Sequence, residues 1–171
     1  MSGLTLRPAI EQDVPALAAL VHAAYAELGA QGLTFTAVDQ DERTTRYRTF
    51  AGTSWVIEDA AGLVATTTLS MPPGEALRRL SAVAREPSTA WLNQLAVHPD
   101  RRGEGQARAL FERCLDHARD AGATSIGLDT AAPAAALRAL YEHWGFRDRE
   151  VIHWPGKTYD SAVMIRAVVT G

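Results

Sequence analysis

Residues 96–111 read AVHPDRRGEGQARALF, an apolar run that passes through a turn rich in arginine and glycine straight into a helical pattern. This junction decides the reading of the chain. A helix N-terminus presents unpaired backbone N–H groups and the positive end of its dipole, so it attracts an anion without needing any particular side chain. Gly103 and Gly105 remove the Cβ atoms that would hold a phosphate away, Ala107 is nearly as small, and Arg102 and Arg108 add positive charge. The pattern suits a diphosphate. A Walker loop would end in Gly-Lys-Ser/Thr, and a Rossmann fingerprint would need a third glycine near the first parallel unit; the chain has neither. A plain surface turn is the alternative.

The segments around this junction alternate strand and helix. LTLRPA at 4–9 alternates as a short strand, Asp13 is placed to cap a helix with Pro15 in its first turn, and Gly29 is placed to stop it. A second short helix follows within 38–52. The runs SWVIED and LVATTTLSM form a hairpin around residues 60–62, and the proline-broken segment from 72 reads as a connecting insertion. AWLNQLAV at 90–97 is a strand. From Gly105 a helix runs to Ala121 with Leu110, Phe111, Cys114 and Ala118 on one face, and Gly122 ends it. SIGLDT at 125–130 is a further strand, Pro133 opens a helix that Gly145 closes, and REVIHWP and SAVMIRAV complete the chain as strands. The predicted fold is α/β: a mixed, mostly antiparallel central sheet of about seven strands with about four helices on both faces.

Composition bounds the function classes. The 171 residues are 47% hydrophobic, enough to bury the core of one domain spanning 1–171. A net charge of −3 offers no basic field for nucleic acid or an anionic membrane. The single Cys114 cannot form an internal disulfide and fits a reducing cytoplasm. No signal peptide is recognisable at the N-terminus, and no run of about 18 apolar residues is present to span a bilayer. The expectation is a cytoplasmic protein. The five histidines show no metal-binding spacing, so no metal is expected.

RRGEGQARAL contains Arg102-x-x-Gly105-x-Ala107, and with LAVHPD before it and LRALYEHWGF after it the chain resembles the GNAT superfamily of acyl-CoA-dependent N-acyltransferases. The resemblance implies the GNAT-like fold and acetyl-CoA as acyl-donor co-substrate. It places the coenzyme diphosphate on the backbone amides of Gly103, Gly105, Gln106, Ala107 and Arg108, with Arg102 in the signature. The pantetheine arm then pairs with the backbones of Leu95 and Val97, and a backbone N–H near Leu95 polarises the thioester carbonyl. Tyr141, four residues before Gly145, is implied as the proton donor to the departing thiolate. A phenol of ordinary pKa about 10 can serve a sulfur of about 8.5. Core packing is the alternative role for Tyr141.

Two features depart from the family pattern. The strand that often carries a Glu or His base has Trp91 and Asn93 at its inward positions, leaving Glu58 or a water chain to take the amine proton. Ala134 stands where an Asn is common, and Arg138 is a candidate for the nucleotide phosphates. The acceptor expected is a primary amine of a small molecule or peptide, received by segments that include Phe35, Asp39, Asp41, Glu42, Tyr159 and Asp160. A homodimer is a common state among such proteins. Two functions stay open: an N-acetyltransferase working by direct attack in a ternary complex, and a non-catalytic acyl-CoA-binding or sensing module.

Overall fold

The computed structural model describes residues 3–169. In chain order these form β1 (Thr5–Pro8), α1 (Val14–Ala30), α2 (Glu42–Phe50), β2 (Thr53–Asp59), β3 (Gly62–Ser70), α3 (Glu75–Leu80), β4 (Thr89–Val97), α4 (Gln106–Asp120), β5 (Ser125–Ala131), α5 (Ala135–His143), β6 (Arg147–Ile152) and β7 (Ser161–Ala167). The seven strands lie in the order β1-β2-β3-β4-β5-β7-β6. Of the registered pairs only β4 with β5 is parallel, so the sheet is mixed and mostly antiparallel. Five α-helices stand where about four were expected. The additional one is α3, a short helix within the connecting insertion.

Contacts group the chain into two compact units, Met1–Leu69 with Asn93–Cys114 and Ser70–Leu92 with Leu115–Gly171. In the first, β1, β2 and β3 pair antiparallel, and Val21 and Ala24 of α1 pack with Ala37 and Ala96 in a buried cluster. The helix α1 does not stop at Gly29. A Cβ there would stand 2.8 Å from Val38 Cγ1, so this glycine is a packing contact, whereas Gly32 at φ +84° makes the reversal. Left-handed backbone is where glycine costs least.

Asp13 also differs from expectation. A 3-10 turn at Glu11–Asp13 precedes α1, and it turns the carboxylate back to accept from the Ile10 N–H at 2.8 Å and from both Arg7 Nη atoms at 2.8 Å. Asp13 therefore secures β1 to the turn, with no side-chain bond to the start of α1. By contrast Asp41 caps α2 directly, accepting from Thr44 N–H at 2.7 Å.

In the second unit β4 runs parallel to β5 over Thr89–Trp91 and Ser125–Gly127, while β5 and β7 pair from Ser125↔Ala167 to Ala131↔Ser161. Trp91 is fully buried and lies across β5; a Cβ on Gly127 would come within 2.4 Å of its ring. Around it gather Leu77, Val83, Ala84, Ile152 and Val163. The insertion that carries α3 thus contributes to the core, tied by Ser81 Oγ and Val83 N–H donating to the Glu150 carboxylate.

Candidate functional site

The glycine-rich loop lies in the first unit. His98 N–H donates to the Val64 carbonyl of β3 at 2.8 Å. In an antiparallel ladder alternate residues turn their backbone groups to the partner, so Ala96 faces β3 and Leu95 and Val97 face away from it. Tyr25 bears this out by donating its hydroxyl to the Leu95 carbonyl at 2.7 Å. Just before Leu95, Gln94 has φ +52°, a left-handed backbone that costs a non-glycine residue about 1–3 kcal/mol unless its surroundings enforce it.

The enforcement is a buried polar network. Gln40 Nε2 donates to Gln94 Oε1 and to Thr45 Oγ1, both at 2.9 Å, and Gln94 Nε2 donates to Thr49 Oγ1 at 3.3 Å. Arg48 donates to Gln40 Oε1 at 2.8 Å. His22 Nε2 meets the Gln40 carbonyl at 2.6 Å and therefore carries the proton. The segment between α1 and α2 is in this way bonded to β4 at the residue before Leu95.

Beyond β4, Gly103 has φ +78° and Gly105 φ +88°, and a Cβ on either would meet nothing within 4 Å. Their need for glycine is conformational, and the space beside them is open. The first helical bond of α4 runs from Ala109 N–H to the Gly105 carbonyl, so the N–H groups of Gln106, Ala107 and Arg108 precede it. Glycine at 105 has no side chain to cap them, and the first turn of α4 holds no acidic residue.

The arginine side chains are engaged with the protein. Arg101 pairs with Asp59 and Glu104, and Arg102 donates to the Ala24 carbonyl at 2.9 Å with Glu27 at 3.6 Å. Arg108 donates to Glu112 at 3.1 Å, with its guanidinium carbon 5.5 Å from the Phe111 ring centre. These contacts hold the loop in shape. Gln106 is buried; its Nε2 donates to Glu104 at 3.0 Å, while its Oε1 has no hydrogen-bond partner among the described residues.

Several sequence candidates have other employment. Glu58 is paired with Arg7 at 2.8 Å, and that guanidinium holds its carboxyl below the usual range, the wrong direction for a base. Burial pushes the Cys114 thiol up to about 12, which suits packing and not nucleophilic chemistry. Burial likewise raises the Tyr25 phenol above its ordinary value, with Arg48 partly opposing. Asp41 is occupied as a cap, and Asp160 contacts His153 at 2.9 Å.

In the second unit Tyr141 is buried on α5, its ring edge-on to Trp144 at 5.9 Å and Phe146 at 6.0 Å. Ala134, at the start of α5, supplies no side-chain cap, and Arg138 donates to the Ala132 carbonyl at 3.1 Å and to Asp148 at 2.8 Å. Sequence reading missed Asp129, whose two oxygens accept from Trp91 Nε1 and Trp154 Nε1, each at 2.9 Å. The i, i+2 relation of Gly127 and Asp129 on a strand, with a tryptophan to lie over the glycine, was its available signal. Trp91 is accordingly part of the core. Among the described residues no group of three or more His, Cys, Asp or Glu is placed to hold a metal, and no helix is long and apolar enough to cross a membrane.

Comparison with known proteins bears on the family and the fold. A 62-residue segment, 36% of the chain, is 37% identical to the ribosomal protein bS18-alanine N-acetyltransferase of Escherichia coli K12, covering 42% of that protein. Over 135 residues, 77% of the chain, it is 31% identical to the mycothiol acetyltransferase of Beutenbergia cavernae, covering 39% of that protein. The chain thus spans less than half the length of these curated relatives. The Salmonella typhimurium protein yncA, solved with its cofactor acetyl-CoA, shares the fold with a TM-score of 0.71 at 19% identity over 99% of this chain and 96% of that one. The profile of the acetyltransferase (GNAT) family matches residues 18–146, and the chain belongs to that family.

Proposed function

We propose that the protein is an N-acetyltransferase that moves an acetyl group from acetyl-CoA to a primary amine by direct attack. The observation that carries this reading is the start of α4, where open space, two left-handed glycines and a first turn without an acidic residue coincide. The relatives lend support: one is a ribosomal protein bS18-alanine N-acetyltransferase and the other a mycothiol acetyltransferase. Gly103, Gly105, Gln106, Ala107 and Arg108 hold the diphosphate through backbone N–H groups, Arg102 braces the loop, and Leu95 and Val97 pair with the pantetheine arm.

In the reaction the amine nitrogen attacks the thioester carbon, a C–N bond forms and the C–S bond breaks. Tyr141 gives its proton to the departing thiolate, and the proton lost by the amine leaves through water. Calorimetric titration with acetyl-CoA tests the binding half; an absence of binding overturns it. Tyr141→Phe is expected to lower kcat by about a hundredfold while leaving acetyl-CoA affinity intact. An unchanged kcat would return Tyr141 to a packing role.

A second reading, a non-catalytic acyl-CoA-binding module, is favoured by one observation. Glu58, the carboxylate considered as the base, is bonded to Arg7, which lowers its affinity for a proton. Tight acetyl-CoA binding with no thiol release against a broad amine panel would select it.

A further inference from the structure

The hydroxyl of Tyr25 offers a second kind of subsite. It has one hydrogen and two lone pairs, and the hydrogen is committed: a carbonyl oxygen such as that of Leu95 can only accept. What remains on Tyr25 Oη is acceptor capacity alone. The ring packs against Phe35 at 5.3 Å between centres, and burial raises the phenol above its ordinary value, which favours the neutral hydroxyl. Tyr25 is half-buried, and it sits against the strand residue whose own N–H faces the same way as the bonded carbonyl.

We propose that Tyr25 Oη receives an N–H of the attacking amine and orients its nitrogen toward the acyl carbon. This rests on the reading that the Leu95 backbone holds the acyl end of acetyl-CoA. The argument is one of matching polarity. Phosphate and thioester oxygens are acceptors and gain nothing from a second acceptor, whereas a primary amine brings N–H donors. The neighbouring clasp of Gln40 on Gln94 fixes the strand from which Leu95 projects, so the hydroxyl and the Leu95 N–H keep a constant relation.

Methylamine, the smallest primary amine with a carbon substituent, is the probe, with release of the coenzyme thiol as the signal. In wild type the release is expected to depend on methylamine concentration. Tyr25→Phe, which keeps the ring and its contact with Phe35, is expected to raise the KM for methylamine about tenfold. Its Kd for acetyl-CoA, measured by calorimetry, should stay within about twofold of wild type. That titration also reports whether the variant is folded.

A purely structural brace between α1 and β4 would instead weaken acetyl-CoA binding as much as the amine KM, and that result overturns the proposal. So does an unchanged methylamine KM, or an absence of methylamine-dependent release from wild-type protein that binds acetyl-CoA. Failure of wild type to bind acetyl-CoA at all is a separate result, and it strikes the acetyltransferase reading first.

Discussion

Two helix starts in the same unit, those of α2 and α4, meet the same electrostatic demand in opposite ways. At α2 the chain supplies its own anion: Asp41 accepts from the Thr44 N–H at 2.7 Å, and Glu42 follows in the first turn. At α4 the corresponding place is Gly105, with φ +88°, no side chain, open space and no acid in the first turn. A helix end satisfied from within is a structural device. One with no side chain at its cap position, held by a backbone that only glycine adopts comfortably, suits the external anion proposed for it.

The strongest way to break this contrast is to give α4 what α2 already has. Gly105→Glu places a carboxylate at the helix start in a left-handed backbone, and acetyl-CoA affinity is expected to fall by about a hundredfold or more in calorimetry. Affinity within a few-fold of wild type would remove the distinction between the two ends. The reverse change is milder. Asp41→Ala is expected to lower Tm by about 2–4 °C in thermal unfolding while acetyl-CoA affinity holds.

That cap also predicts a pH dependence. The Thr44 N–H holds the Asp41 carboxyl below its ordinary value. A depressed carboxyl stabilises the fold above its unfolded pKa, about 4, and the contribution disappears as pH falls through the lower folded value. The Tm difference between wild type and Asp41→Ala should therefore be full at pH 7 and close in acid below about pH 4. A difference that persists undiminished there would assign the effect to something other than the ionised carboxylate. The smallest effect belongs to Arg101→Ala. Its guanidinium pairs with Asp59 and Glu104 and so braces the loop from the side, and the loss in acetyl-CoA affinity should be under about threefold. A loss equal to that of Gly105→Glu would mean that side-chain charge, not backbone, binds the anion.

The same contrast explains what the sequence could reveal. The junction at 96–111 was legible because its signals are local: glycines, the apolar period of α4 and the strand before it all fall within one short window. The stops of α4 at Gly122 and α5 at Gly145 were legible for the same reason, and both glycines have positive φ. Gly29 misled because a glycine near a helix end has two uses, and the contact with Val38 that decides between them belongs to another segment. Asp13 misled because a 3-10 turn ahead of α1 redirects its side chain.

The contacts between residues distant in sequence were not legible at all. Tyr25 and Leu95 are 70 residues apart, Gln40 and Gln94 are 54 apart, and Trp91 and Asp129 are 38 apart. Each joins residue types that are ordinary singly and acquire meaning only when the fold aligns their donors with acceptors. Gln94 is the clearest case, since neither its type nor its neighbours signal the left-handed backbone that the Gln40 clasp holds in place.

The most direct test of the backbone cradle is a titration of isotopically labelled protein with acetyl-CoA, followed by amide N–H resonances. The account predicts that the largest shifts fall on Gly103, Gly105, Gln106, Ala107 and Arg108, while the capped start of α2 at Thr44 is undisturbed. Binding that leaves those five amides in place, or that moves Thr44 as much as Gly105, would contradict it.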